Sequence, residues 1–199
     1  VLHGASLLDD QAYLLDRLVD LARDEHPDVI LIAGDVYDRS VPPAAAVDLL
    51  DDVLARLVLD LRIPVVAIAG NHDSPERLSF ASRLLRGSGL HLAGSPRDGL
   101  VPVVLGDDHG PVTIHPVPYL EPAAVRQALA QPDLEGVEAT TEAQLDAVRA
   151  TRIPGGRSVL VGHAFVAGMQ PSESERPLSL GGSGCVDPSV FHGFDYVAL

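Results

Sequence analysis

The sequence predicts an α/β protein, and three observations predict it. Continuous apolar runs of strand length, "DVILIA", "PVVAIA" and "RSVLVGH", lack the in-out alternation of a half-exposed sheet. Stretches with apolar residues at helical spacing lie between such runs. Several runs also end in a glycine followed by a polar residue, as strands do when their carboxyl ends line a ligand crevice. Helices alternating with strands buried on both faces imply a largely parallel central sheet.

Taken in order, the first helix is expected from about Leu8 to His26, where Leu15, Leu18, Val19 and Ala22 share a face. The strand "DVILIA" follows. A second helix over "PPAAAVDLLDDVLARLVLDL" puts Val47, Leu50, Leu54, Leu57 and Leu61 on one side, and its prolines suit a first turn. After the strand "PVVAIA", the stretch "GNHDSPERLSFASRLLRGSG" reads as a third helix closed by glycine, with Ser74 and Pro75 as its cap and first residue. Its positive end would point toward the strand ends. Short strands are expected around "VPVVL" and "PVTIHPV", two helical pieces between Glu121 and Ile153, and then the strands "RSVLVGH" and "DYVAL". Prolines, glycines and charges around 94 to 111 mark surface turns, and there is no internal repeat.

Composition narrows the possibilities. With 199 residues, 46% of them hydrophobic, the chain can bury roughly 70% of the surface that its unfolded form exposes, enough for one domain over 1–199. No apolar run approaches the roughly 18 residues of a membrane span, so a soluble, cytoplasmic protein is expected. The single cysteine, Cys185, cannot form an internal disulfide and is read as a space-filler. The net charge of -14 sets 14 cations, all arginine, against 28 carboxylates, which argues against nucleic acid on bulk charge alone. A bound divalent cation reverses the local field whatever the net charge.

The polar strand ends are the candidate site. "LIAGDVYD" delivers Asp35 and Asp38, "VAIAGNHD" delivers Asn71, His72 and Asp73, and "VLVGH" delivers His163. Singly, each has an ordinary structural reading: Asp35 as a turn cap, Asn71 as a left-handed turn residue, His163 as a satisfied core histidine. Jointly, a carboxylate, an amide oxygen and an imidazole form the mixed donor set suited to manganese, iron or zinc.

In this order, "GDVYD", "GNHD" and "GH" resemble the second, third and fourth motifs of the calcineurin-like metallophosphoesterases. "AGDVYDRSVPP", "IPVVAIAGNHDSPERL", "HPVPYL" and "GFDYVAL" resemble more closely the SbcD nuclease subunits of that superfamily. The resemblance implies a sandwich of β-sheets flanked by helices. It implies that Asp35 bridges two divalent ions, Mn2+ before Mg, Fe or Zn, and that Asn71 and His163 bind the second. His72 would face the scissile phosphate as the catalytic residue. Asp38 would steady the loop or a ligand, unless it is only a turn acid or helix cap, and Arg77 could touch a phosphate if it is not simply solvated. The implied partners are the SMC-like ATPase SbcC and double-stranded or hairpin DNA, with a homodimer inside a heterotetramer. The implied work is ATP-dependent 3′-5′ exonuclease and hairpin endonuclease cleavage in DNA replication, recombination and repair.

The family's first motif, Asp-x-His, and its fifth, Gly-His-x-His, do not occur among these residues. The opening "VLHGASLLDDQ" lacks the first, and Asp24-Glu25-His26 and Asp107-Asp108-His109 stand away from any opening strand. The resemblance therefore implies a domain truncated at both termini that binds metal weakly and is inactive or nearly so alone. Alternative readings are a metallophosphoesterase acting on small phosphodiesters or phosphoproteins, and a catalytically dead partner-binding fragment. His115 is expected to end a strand, His91 and His192 to be surface or packing residues, and "SESERPLSLGG" to carry no chemistry.

Overall fold

The computed structural model describes residues 6–168 and 184–199; "SESERPLSLGG" and the first five residues lie outside them. The first sheet is parallel, ordered β1 (Ile30–Ile32), β2 (Val65–Ile68), β3 (Leu90–Ala93). The second is mixed: β4 (Val103–Asp107) and β5 (Gly110–Pro116) form an antiparallel hairpin, and β6 (Arg157–Val161) lies parallel to β5. A short pair, β7 (Phe165–Val166) with β8 (Cys185–Val186), precedes β9 (Tyr196–Ala198), which runs parallel to β6.

The two sheets face each other through Val66, Ile68 and Ala93 on one side and Val103, Ile114 and Val161 on the other. Alternate residues on the opposite face of the first sheet, Val65, Ala67, Leu90 and Leu92, pack on two helices, α1 (Leu8–Glu25) and α2 (Ala44–Ala55). All four residues of β2 are thereby buried, which is why its sequence shows no alternation. Beyond α3 (Pro75–Leu78) and α4 (Ser82–Leu85), the helices α5 (Pro122–Leu129) and α6 (Gly136–Arg149) cover the second sheet through Val125, Leu145, Val148 and Leu160.

Several elements, the β7–β8 pair among them, differ from the sequence reading. β3 was not anticipated, because "LHLA" follows the helical spacing of "SRLLRGSG" with only Gly89, at φ +98°, to mark the break. The expected single third helix is two short ones, divided at Ala81, whose φ is +59°. α2 starts after Pro43 and continues into a π-helical turn over Arg56–Asp60, so that the adjacent Leu57 and Val58 both enter the core while Val47 stays 40% exposed.

Around 94 to 111, a 3-10 turn (Pro96–Leu100) capped by Ser95 and Asp98 leads into β4, so this stretch is more ordered than surface turns. His115 lies fully buried near the end of β5 with its ring edge-on to Phe194 at 5.9 Å, and neither ring nitrogen has a hydrogen-bond partner. His91 is half-buried on β3.

Burial, and to a lesser degree Arg152, holds the His115 pKa below the ordinary histidine value, although the nearby Gly99 backbone opposes this. The folded chain therefore binds fewer protons here than the unfolded chain. This stability is fully present above about pH 6.5 and is lost as pH falls below it. Burial acts in the same direction on His91. Thermal melts from pH 7.5 to 5.5 are expected to show Tm falling with pH, and His115→Leu is expected to remove part of that slope. An unchanged slope would assign the pH dependence elsewhere. Leu145→Ala, in the core under α6, is expected to cost about 2–5 kcal/mol by denaturant titration.

Candidate metal centre

The carboxyl ends of β1, β2 and β6 converge, and glycines make the approach possible. A Cβ on Gly34, which has φ +97°, would lie 2.3 Å from His163 Nδ1. On Gly70 it would lie 2.2 Å from both the backbone nitrogen and Oδ1 of Asp35. Asp35 itself adopts φ +46°, a left-handed conformation uncommon for a residue with a side chain.

The donor atoms meet there. His163 Nε2 is 2.9 Å from Asn71 Oδ1 and 3.6 Å from Asp35 Oδ1. His163 Nδ1 is 2.8 Å from the Ala33 carbonyl, which can only accept, so Nδ1 donates there and Nε2 is the nitrogen turned to the cluster. Metal-binding histidines are commonly oriented in this way. An imidazole nitrogen, an amide oxygen and a carboxylate oxygen thus face one another, a mixed set of the kind that suits a divalent cation, with the His72 backbone N–H donating to the carboxylate. Among the described residues no three His, Cys, Asp or Glu side chains form such a group, since the third donor is the amide of Asn71.

His72 stands beside this cluster. Its backbone N–H donates to Asp35 Oδ1 at 3.0 Å, and its ring Nδ1 is 4.0 Å from Asp35 Oδ2. Its side chain is only 16% exposed, against 34% for Asp35, so the imidazole is more enclosed than the carboxylate beside it.

Asp38 is not brought into the cluster. It is 71% exposed, with its carboxylate on the neighbouring Arg39, because the chain turns outward after Tyr37. Arg77 lies on α3 and reaches Ser40 O at 3.4 Å, spanning from α3 to the loop after β1. Ser74 precedes α3 without capping it through its side chain, and Pro75 is the first residue. Asp24 and Glu25 end α1, with His26 as its left-handed cap, and Asp107 turns the β4–β5 hairpin while pairing with Arg157 at 2.5 Å.

Two neighbours of the site received no role from sequence reasoning. Asp73, only 7% exposed, accepts hydrogen bonds from the backbone of Gly70, Val36 and Tyr37. Tyr119, whose N–H donates to Ala69 O at 2.8 Å, sets its ring edge-on to His163 at 6.2 Å and to Phe165 at 6.4 Å. Burial raises the pKa of both nearby tyrosines, with Glu121 adding to the effect at Tyr119, and Asp73 and Asp51 at Tyr37. The available signal was position: Asp73 follows Asn71-His72, and Tyr119 follows the strand beside β6.

Comparison with known proteins agrees with this geometry. The chain is 35% identical over all 199 residues to the SbcD component of the nuclease SbcCD from Staphylococcus saprophyticus, and it covers 52% of that protein. It thus spans about half the length of the curated relative it matches. A family model described as calcineurin-like phosphoesterase matches residues 2–138, a span that carries Asp35, Asn71 and His72 and stops before His163. A match over more than half of the chain shows that the chain belongs to the calcineurin-like phosphoesterase family.

Proposed function

We propose that these residues are the core of an SbcD-type DNA nuclease domain, a hydrolase of DNA phosphodiesters that works with two divalent ions, Mn2+ foremost. The observation that carries the reading is the convergence of Asp35, Asn71 and His163 with His72 beside them. The name of the relative supports DNA as the substrate.

In this reading Asp35 would be the ligand shared by the two ions, and Asn71 and His163 would hold the second. Bound ions would supply a water nucleophilic at neutral pH and neutralise the anionic transition state. The imidazole of His72 would pass a proton to the leaving oxygen, general acid catalysis of this kind contributing on the order of 10²–10⁴-fold. Arg77 can reach a backbone phosphate next to the cluster. Two motifs that the SbcD resemblance calls for are not among the 199 residues. Alone, therefore, these residues bind metal weakly and turn over little.

A chain with a net charge of -14 grips DNA poorly. The proposed function therefore includes a DNA-holding partner, the SMC-like ATPase SbcC, and a cytoplasmic setting. Among the described residues, no helix is long and apolar enough to cross a membrane. A homodimer is also part of the proposal. Pro42, Val47, Leu50, Leu54, Leu78 and Leu85 line a cleft of about 350 Å³, and Val41, Phe80 and Leu84, next to these in sequence, are 61%, 77% and 83% exposed. Such exposed apolar groups favour a protein contact.

Manganese-dependent cleavage of labelled duplex and hairpin DNA by the protein with its natural flanking sequence tests the reading. Cleavage is expected, and His72→Ala is expected to reduce it at least ~100-fold while leaving Mn2+ binding intact. Hydrolysis of simple phosphodiesters or phosphoproteins without DNA cleavage would keep the metal centre and discard the nuclease. Gly70→Ala, which puts a methyl where Asp35 Oδ1 lies, is expected to weaken Mn2+ binding measurably in a calorimetric titration. Phe80→Glu with Leu84→Glu is expected to shift sedimentation from dimer to monomer, and a wild-type monomer would remove the homodimer from the proposal.

A further inference from the structure

We propose that Asp73 is the positioning residue that sets Asp35 for metal binding, an inference that rests on the metal-centre reading above. Asp73 is a buried carboxylate, and the hydrogen bonds it receives come from backbone N–H groups: Gly70 and Val36 on Oδ2 at 2.8 and 3.0 Å, and Tyr37 on Oδ1 at 2.8 Å. Two of these three donors directly follow Asp35 in the chain, and the third belongs to the glycine against which Asp35 is packed. One side chain therefore ties the loop after β1 to the loop after β2, the two loops that present Asp35 and Asn71.

The conformation of Asp35 shows what this tie does. At φ +46° the residue is in a region that L side chains rarely occupy. The peptide groups immediately after it are held by a carboxylate, and hydrogen bonds to an ionised acceptor are roughly twice as strong as neutral ones. The backbone N–H of His72 then closes on Asp35 Oδ1 from the other loop. Without Asp73, the N–H groups of Val36 and Tyr37 lose their acceptor and Asp35 is free to relax toward the right-handed region. Its carboxylate would then swing away from His163 Nε2 and Asn71 Oδ1.

The test uses the full-length natural protein as wild type, Asp73→Ala, Asp73→Asn and Leu145→Ala, the last a buried truncation in the other core. Mn2+ affinity is read by titration, and amide hydrogen exchange is read at Val36 and Tyr37. Asp73→Ala is expected to weaken Mn2+ binding about 10–100-fold, the range typical of groups that orient metal ligands. It should also speed exchange at both amides. Asp73→Asn keeps one oxygen for Gly70 and Val36 and is expected to fall between Asp73→Ala and wild type. Leu145→Ala should lower Tm and leave Mn2+ affinity unchanged.

Native Mn2+ affinity in Asp73→Ala, or a loss no larger than in Leu145→Ala, would overturn the proposal. If Asp73→Ala does not fold, Asp73→Asn is judged by the same comparison. The readout is affinity and not cleavage, so a wild type that binds Mn2+ without cutting DNA sinks the nuclease reading alone. Native affinity in the Asp73 variants of an active nuclease sinks this one alone.

Discussion

Gly34 and Gly70 create the space in which the ends of β1, β2 and β6 meet. A methyl on Gly34 would stand 2.3 Å from the His163 ring and one on Gly70 would stand 2.2 Å from the Asp35 carboxylate, so neither position admits a side chain while the strand ends stay together. The site depends on this close approach. The parallel register of β1 on β2 and of β5 on β6 brings strand ends to common edges. The interleaved apolar layer of Val66, Ile68, Ile114 and Val161 then fixes one sheet against the other. A shift of one residue in either register would exchange the two faces of the moved strand, breaking the interleaved layer and carrying a donor residue to the wrong face.

Much of this was legible because apolar runs without alternation mark strands: "PVVAIA", whose strand is wholly buried, and "VILIA", whose strand is partly buried, contain no polar residue until the glycine at the crevice. What the sequence concealed was local backbone geometry. β3 hides behind a helical-looking run, and the helix division at Ala81 rests on one left-handed residue that carries no glycine to announce it. The π-helical turn after α2 changes which leucines are buried without altering the composition of the stripe. At the site, Asp35, Asn71 and His163 could be read from their place after strands. The outward course of Asp38 and the inward course of Asp73 could not, since both are aspartates in a turn and only the folded loop separates an exposed ion pair with Arg39 from three backbone hydrogen bonds.

The acidic balance also takes on meaning at this scale. The excess of carboxylates is spread over helix surfaces, as in the Arg17–Asp20 and Arg23–Asp20 pairs on α1 and the Arg56–Asp16 pair that joins α1 to the π-helical turn. Exposed pairs of this kind contribute about 0–1 kcal/mol each and are screened by salt. The strand ends differ in kind: the side chains of Asp35, Asn71 and His163, delivered by three separate strands, converge on one another.

That convergence carries a cost in the folded chain. A left-handed Asp35 stores on the order of 1–3 kcal/mol of backbone strain. The fold can hold the arrangement only because rigid strands deliver the residues and buried backbone hydrogen bonds clamp the loops. A divalent ion held there would offset that strain, since binding to the folded state alone stabilises it by mass action. The carboxylate that meets His163 and the His72 N–H thus sits on a left-handed residue, as expected where stability is given up locally to position a side chain.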